Sequence, residues 1–441
     1  MPSGSADPAA GHPDRPGHPV LRTVVRTVST LAACAGWVVA LLIQLSLLDR
    51  HRPMVITDVH YYYRVLTGVW GGDLGEYPVV GLWPVHLLIA LTRSAGGDEA
   101  WFTVAFSVMC AVCSAFFTLW LLWRDPSPWC PAAWFWVLYS GCAGPIILTR
   151  LDLFPGLLVA TAAALLFARH RPGRTGGTGG SGGSGSVAQT VAAVLLAVAT
   201  AAKLWPGVLA AGLVGRWRHL STWARTAGFL AALAVVAGLV AAVSGADRLT
   251  SPLDYQTDRG LQVESVSATP LVLAAALGNQ DGRWHVGQAP SKSIEITGPW
   301  ESTMVTVADV GLIVVLVAAA GVGLCRLLRG GWTPQRTLSF WAALIMAVIV
   351  TDKVLSPQYL VWITPLLAVG LTVNRRPSLR IASLLTVVAA LLTTLVFPVN
   401  YDGLLADGGP ELLPAVLLTV RNGLLLLVTA VCLRWATARD R

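Results

Sequence analysis

A dozen apolar runs separated by polar connections leave this 441-residue chain few folds to choose from. The runs cover 27–48, 100–123, 132–149, 153–169, 187–202, 205–215, 224–244, 303–328, 337–351, 358–373, 379–398 and 412–434. Crossing a bilayer takes about 20 predominantly apolar residues, somewhat fewer in a crowded bundle. Hydrophobic residues make up 55% of the chain, charged residues 12%, and mean hydropathy is +0.65, which excludes an ordinary soluble domain. The expected fold is therefore an all-α integral membrane protein, a bundle of about 12 transmembrane helices. The runs 205–215 and 337–351 are short and need extension or shielding by neighbours.

The connections divide into two sets of opposite charge. One set comprises 1–26, 124–131, 169–186, 216–225, 326–336, 374–380 and the tail from Arg434. It holds 19 of the 31 basic residues against four acids, a net of +15, and the rest of the chain carries a net of −7. Basic residues near span ends are retained in the cytoplasm. The first set is thus expected inside with both termini, and the acidic loops outside. Residues 78–93 resemble a further span, but counting them as one would place the Arg-rich segments 169–174, 216–225 and 374–380 outside. With Pro84 inside it, this stretch better fits a helix lying at the membrane surface. Residues 49–99 then form one long outer loop carrying juxtamembrane helices, and 245–302 a second large outer loop.

The flanks and insertions read simply. Residues 1–26 are expected to be a disordered cytoplasmic N-terminus, most clearly over the Pro/Gly/Asp-rich first 20. The Gly/Ser tract 173–186 is a flexible linker in a cytoplasmic loop, the membrane portion runs over 27–435, and 436–441 is a tail. Six of the seven cysteines lie within spans and Cys130 on the cytoplasmic side, so no disulfide is expected. Outer histidines lack ligand spacing, which predicts no metal, and nothing beyond the topological charge points to nucleic acid.

Against 28 arginines the chain keeps three lysines, and Lys203 and Lys353 both stand at outer ends of expected spans. A shared side and depth suits two point charges meeting a phosphate; snorkelling to the interface is the competing explanation. Lys292 lacks such a context and reads as solvated. Other outer constellations are Asp58-Val59-His60-Tyr61-Tyr62-Tyr63, Glu76-Tyr77-Pro78, Arg150-Leu151-Asp152-Leu153-Phe154-Pro155, Asp258 to Ser265, and Asp352 to Tyr359. Arg259 offers a forked donor, and Gly260 permits close backbone approach. Arg150 and Asp152, two apart, would alternatively neutralise each other near lipid. Arg421, several residues inside the last span, is expected to face a polar cavity.

Taken in order, a first-loop acid before a Tyr-Pro surface helix, then RLDLFP, KLWP, RGLQVES and KVLSPQY, resemble glycosyltransferase family 87 of the GT-C superfamily. That family includes actinobacterial polyprenol-phosphate-mannose-dependent mannosyltransferases, and the resemblance covers about residues 27–435. Val79 stands where the family commonly has a second Pro. The resemblance implies a GT-C-like membrane enzyme of a bacterial plasma membrane. It would transfer a sugar, mannose by the resemblance, from a polyprenyl-phosphate donor to a lipid or glycan acceptor at the outer face, with inversion. Asp58 would be the general base. Lys203, Arg259 and Lys353 are the candidates to hold the donor phosphate as its charge develops. His60, Glu76, Tyr77, Arg150, Asp152, Gln262, Glu264, Gln358 and Tyr359 are candidate substrate-binding residues. No cofactor beyond the lipid-phosphate sugar and no divalent metal is expected. The alternatives are a multi-pass lipid or glycan transporter and a non-catalytic assembly partner. A transporter predicts ionisable residues near mid-membrane, whereas here the charges gather at one face.

Overall fold

Helix boundaries follow local chemistry. The computed structural model describes residues 19–168, 182–257, 259–278 and 282–438. Asp98 caps the Glu99–Arg124 helix by accepting from the Trp101 N–H at 3.0 Å, and Thr333 caps Pro334–Thr351 by accepting from Arg336 N–H at 3.1 Å. Pro131, Pro334 and Pro377 begin helices, where a missing N–H costs nothing. Gly330, at φ +84°, ends the Glu301–Arg329 helix.

Among the described residues, seven helices are long and apolar enough to cross a membrane: Pro19–Arg50, Glu99–Arg124, Leu220–Ser244, Glu301–Arg329, Pro334–Thr351, Pro377–Val399 and Leu412–Thr437. The other five apolar runs are also helical: Pro131–Ala143, Leu153–Leu166, Trp205–Leu213 and Leu360–Val373 have 13, 14, 9 and 14 residues, and Gly182–Ala202 is apolar over its part Val187–Ala202. Only 11% of the most apolar stretch of Leu220–Ser244 and of Glu301–Arg329 is buried, against 67% for Pro334–Thr351. So much exposed apolar surface fits lipid rather than water. The chain is an all-α multi-pass membrane protein in architecture. Among the described residues the strands are confined to a small antiparallel hairpin, β1 (His285–Gln288) against β2 (Ile294–Thr297), within the loop region.

Three boundary expectations are corrected or bounded. The Pro19–Arg50 helix includes residues 19–26, which were expected to be disordered. Arg26 explains this, since its guanidinium donates to the carbonyls of Asp125 at 2.5 Å and Ser127 at 2.6 Å, which draws the helix past its apolar run. The Gly182–Ala202 helix likewise starts within the expected Gly/Ser linker. Residues 1–18, 173–181 and 439–441, and with them the remaining expectations about N-terminus, linker and tail, lie outside the described residues. The run 132–149 breaks at Gly144 and Pro145.

The weakest expected span, 205–215, is a 3₁₀ helix over Trp205–Leu213. A 3₁₀ helix rises about 2.0 Å per residue, so nine residues reach farther than an α-helix would. Its poorly aligned carbonyls find side-chain donors on neighbours. Trp341 Nε1 donates to Leu209 O at 2.8 Å, while Trp332 Nε1 and Thr337 Oγ1 donate to Gly212 O at 2.9 and 3.1 Å. Gly212 makes that contact possible, because a Cβ there would sit 2.2 Å from Trp341 Nε1. Two apolar cores result. The larger runs through the helix bundle. A smaller one, including Leu261, Val263, Ile296, Phe397 and Tyr401, seats the hairpin region on the ends of the last helices.

Gly212→Ala is expected to lower the thermal midpoint of the purified protein, overpacking of this kind costing about 1–3 kcal/mol. Gly238→Ala, where a Cβ meets nothing within 4 Å, is the control and should cause no loss. Equal midpoints for the two variants in the same detergent would contradict this account of the 3₁₀ segment.

Candidate functional site

One large cavity, about 1960 Å³, opens at one end of the bundle. The basic connections beginning at Arg124, Arg216, Arg326 and Asn374 lie at the far ends of segments that reach its walls. Its lining comes from the first long loop, the 150–158 turn and helix, the Lys203–Trp205 segment, the 252–264 loop with the hairpin tip, and 352–362. Asp58, Lys203, Arg259, Lys353, Glu76, Tyr77, Arg150, Asp152, Gln262, Glu264, Gln358 and Tyr359 all line it. His60 does not. A helix turns about 100° per residue, so two positions after Asp58 its ring points away. There Nδ1 lies 3.4 Å from Glu99 Oε1. Burial lowers its proton affinity, opposed by Glu99 and assisted by Arg64 and Arg52. The expectation that His60 binds substrate is therefore corrected: it joins the Glu99–Arg64 pair, 2.7 Å apart, outside the cavity. Asp258 lies outside the described residues.

The charges in the 150–155 turn pair outward. The alternative expectation, that Arg150 and Asp152 neutralise each other, does not hold. Arg150 Nε lies 3.2 Å from Asp58 Oδ2, and its Nη1 donates to Val55 O at 3.0 Å. Asp58 occupies the first turn of Thr57–Leu66, where the helix dipole favours an acid. Asp152 instead accepts from Lys203 Nζ and Trp362 Nε1, both at 2.5 Å. The Lys203 ammonium also stands 5.4 Å from the Tyr359 ring centre and 5.3 Å from that of Trp362. Trp205 stacks on the same Trp362 ring. Gly81 brings the first loop onto this group; a Cβ there would lie 2.4 Å from Ala202 O, one residue before Lys203.

Arg259 and Lys353 are differently placed. Among the described residues neither has an ion-pair partner. Lys353 Nζ reaches only the Thr257 carbonyl at 3.4 Å, and Arg259 Nε is buried without a hydrogen-bond partner. Gln262 N–H donates to Lys353 O at 3.1 Å, fastening the loop to the 352–358 segment. Beside them, burial pushes the Asp352 carboxyl up to about 6, against the Val354 N–H and the charges of Arg259 and Lys353, and with the help of Asp309. Burial thus weakens the negative charge that Asp352 sets against Arg259 and Lys353.

Two further groups were not legible beforehand. Lys292, expected to be solvated, projects from the hairpin tip to the Tyr61 hydroxyl and to Glu76, whose Oε1 is 3.8 Å away. Tyr61 also donates to that Glu76 oxygen at 2.5 Å, and Tyr62 Oη to Tyr77 Oη at 3.3 Å. Glu264 is fully buried, with Oε2 2.9 Å from Arg421 Nη1, while Arg421 Nη2 donates to its main-chain oxygen at 2.6 Å. Arg421 thus meets a carboxylate at the cavity wall, not the open space of the cavity. Burial raises the proton affinity of Glu264, and Arg421 opposes that rise. Trp362 was missed, its only signal being proximity to Gln358; Asp352 and Trp205 stood in the constellations singled out but were assigned no role.

The wall opposite the charges is apolar, with Leu157, Leu158, Val198, Val208, Leu312, Ile313 and Leu316. Leu87 and Ile313, both on the lining, are 61% and 58% exposed, so this wall continues onto the apolar outside of the bundle. Comparison of the chain with family models, curated proteins and solved structures finds no match. The groups of the site define its chemistry. It can hold an anion between unpaired cations, accept a proton on a carboxylate nearby, and bed a long apolar chain.

Breaking a buried ion pair by removing one partner typically costs about 3–5 kcal/mol, whereas neutralising both costs far less. Arg421→Met should therefore lower thermal stability by about 3 kcal/mol, and the double variant Arg421→Met, Glu264→Gln should recover most of it. A double variant no more stable than the single one would sink this assignment of the pair.

Proposed function

We propose that the chain is a glycosyltransferase of a bacterial plasma membrane. It moves a sugar, mannose by the family resemblance, from a polyprenyl-phosphate donor to a lipid or glycan acceptor at the outer face. Twelve crossings with both termini in the cytoplasm fit this reading, the other five helical runs completing the bundle. The observation that carries it is the makeup of one cavity. A carboxylate, two cations without ion partners and an apolar wall continuous with the lipid-facing surface converge there.

The mechanism follows from charge. Donor cleavage leaves a polyprenyl phosphate, and fixed cations aimed at that developing charge lower the barrier. Arg259 and Lys353 meet the phosphate first, having no carboxylate to give up. Lys203, already paired with Asp152 and stacked on Trp362, completes the positive end. The acceptor hydroxyl becomes a competent nucleophile as a base takes its proton. Asp58 is that base, oriented by Arg150, and in-line attack inverts the anomeric carbon. Glu76, Tyr77, Gln358 and Tyr359 shape the sugar-binding surface, and the isoprenoid lies along Leu312, Ile313 and Leu316. Phosphate held by Arg and Lys needs no divalent metal.

General-base catalysis contributes about 10²- to 10⁴-fold. With radiolabelled polyprenyl-phosphate-mannose and lipid acceptors, membranes carrying Asp58→Asn should lose transfer by at least about 100-fold while still binding the donor. Undiminished transfer in that variant would remove Asp58 from the chemistry, and donor lipid translocated without any transfer by the wild type would favour a transporter.

A further inference from the structure

Seven buried side-chain polar atoms of the described chain lack a hydrogen-bond partner, and five of them belong to residues lining the cavity. Those five split by chemistry. Arg259 Nε and Trp205 Nε1 are donors, and Arg150 Nε is a donor already held in the ion pair with Asp58 at 3.2 Å; Gln262 Oε1 and Glu264 Oε1 are acceptors. A buried polar atom left unpaired costs stability, so this concentration points to groups meant for a ligand. Donors suit the oxygens of a phosphate. The two acceptors demand something that brings hydrogens.

A ligand ammonium is disfavoured at the acceptors. Glu264 already faces the Arg421 guanidinium at 2.9 Å, and a second cation there would be repelled. Neutral hydroxyl groups satisfy both oxygens without that cost. The geometry is also fixed in advance. Arg421 holds one carboxylate oxygen and the main-chain oxygen of Glu264, while Asn422 Nδ2 donates to the Glu264 and Ser265 carbonyls, each at 3.2 Å. The second carboxylate oxygen, Oε1, is what remains. Gln262 is anchored independently, through its own N–H to Lys353 O.

We infer that Gln262 and Glu264 recognise sugar hydroxyls, and that Arg421 is a positioning residue which holds the Glu264 carboxylate for that purpose. This rests on the transferase reading and specifies it: the phosphate lies toward Arg259 and Lys353, the sugar hydroxyls toward the base of the 261–265 loop. A buried charge in the last membrane helix then acquires a role in donor selection rather than in packing alone.

The test uses the full chain in lipid nanodiscs with three kinds of probe: polyprenyl phosphate, polyprenyl-phosphate-mannose and its monodeoxymannose analogues. The wild type should bind at least one deoxy analogue about 10- to 100-fold more weakly than the mannose lipid, the range expected for a lost hydrogen bond to a charged or polar partner. Gln262→Leu should bind those two lipids equally, keep wild-type affinity for sugar-free polyprenyl phosphate, and unfold no sooner than the wild type. The neutral double variant Glu264→Gln, Arg421→Met should likewise lose discrimination. Retained discrimination in both variants, or an equal loss of affinity for the sugar-free lipid, would overturn the inference. If the wild type binds the lipids with and without sugar equally, the inference fails while the phosphate site stands. If it binds none of them, the transferase reading itself is refuted.

Discussion

Charge compensation at the edge of an apolar bundle organises this protein. Arg150 and Asp152 lie in a buried turn where water is scarce, and an unpaired charge there is costly. Each finds its partner on a different segment: Arg150 on Asp58 of the first loop, Asp152 on Lys203 at the end of the Gly182–Ala202 helix. Two short contacts thus tie three distant parts of the chain into one wall. Trp362, donating to the same Asp152 oxygen, adds a fourth. Disturbing the turn would displace the first-loop carboxylate and the aromatic stack together.

The opposite wall is assembled by backbone pairing. Residues 261–263 lie against β2, with Val263 N–H donating to Ile294 O and Ile296 N–H to Leu261 O, each at 3.0 Å. Gln262 then joins this unit to Lys353. The loop that carries Arg259 is consequently fastened on both sides, and the hairpin tip can deliver Lys292 to Glu76 across the cavity. Packing, ladder and ion pairs serve one outcome, a polar chamber with an apolar side.

How far this was legible in the sequence depends on the physics behind each feature. Apolar runs read directly as helices, because length and hydropathy are local. Motif residues such as Asp58, Lys203, Gln262 and Gln358 came together as expected from their shared end of the spans. Pairing did not follow. Arg150 and Asp152 are close in sequence, yet the extended backbone at Arg150 (φ −126°) separates their side chains, and the choice of partner is a tertiary matter. His60 shares the motif of Asp58 but falls on the other side of a helix that no periodicity in so short a segment announces. Lys292 and Arg421 were opaque for the same reason: their carboxylate partners lie 216 and 157 residues away. The hairpin left no signal in a chain otherwise dominated by helix.

The central claim is that the anion of a lipid phosphate and the base that activates the acceptor share this chamber. An experimental structure of the protein with polyprenyl phosphate in nanodiscs tests it most directly. The account predicts phosphate density within hydrogen-bonding reach of Arg259 and Lys353, and isoprenoid density running outward past Leu312 and Leu316. Lipid phosphate bound instead among the arginine-rich connections at the other end of the bundle, with the chamber lacking lipid, would contradict it.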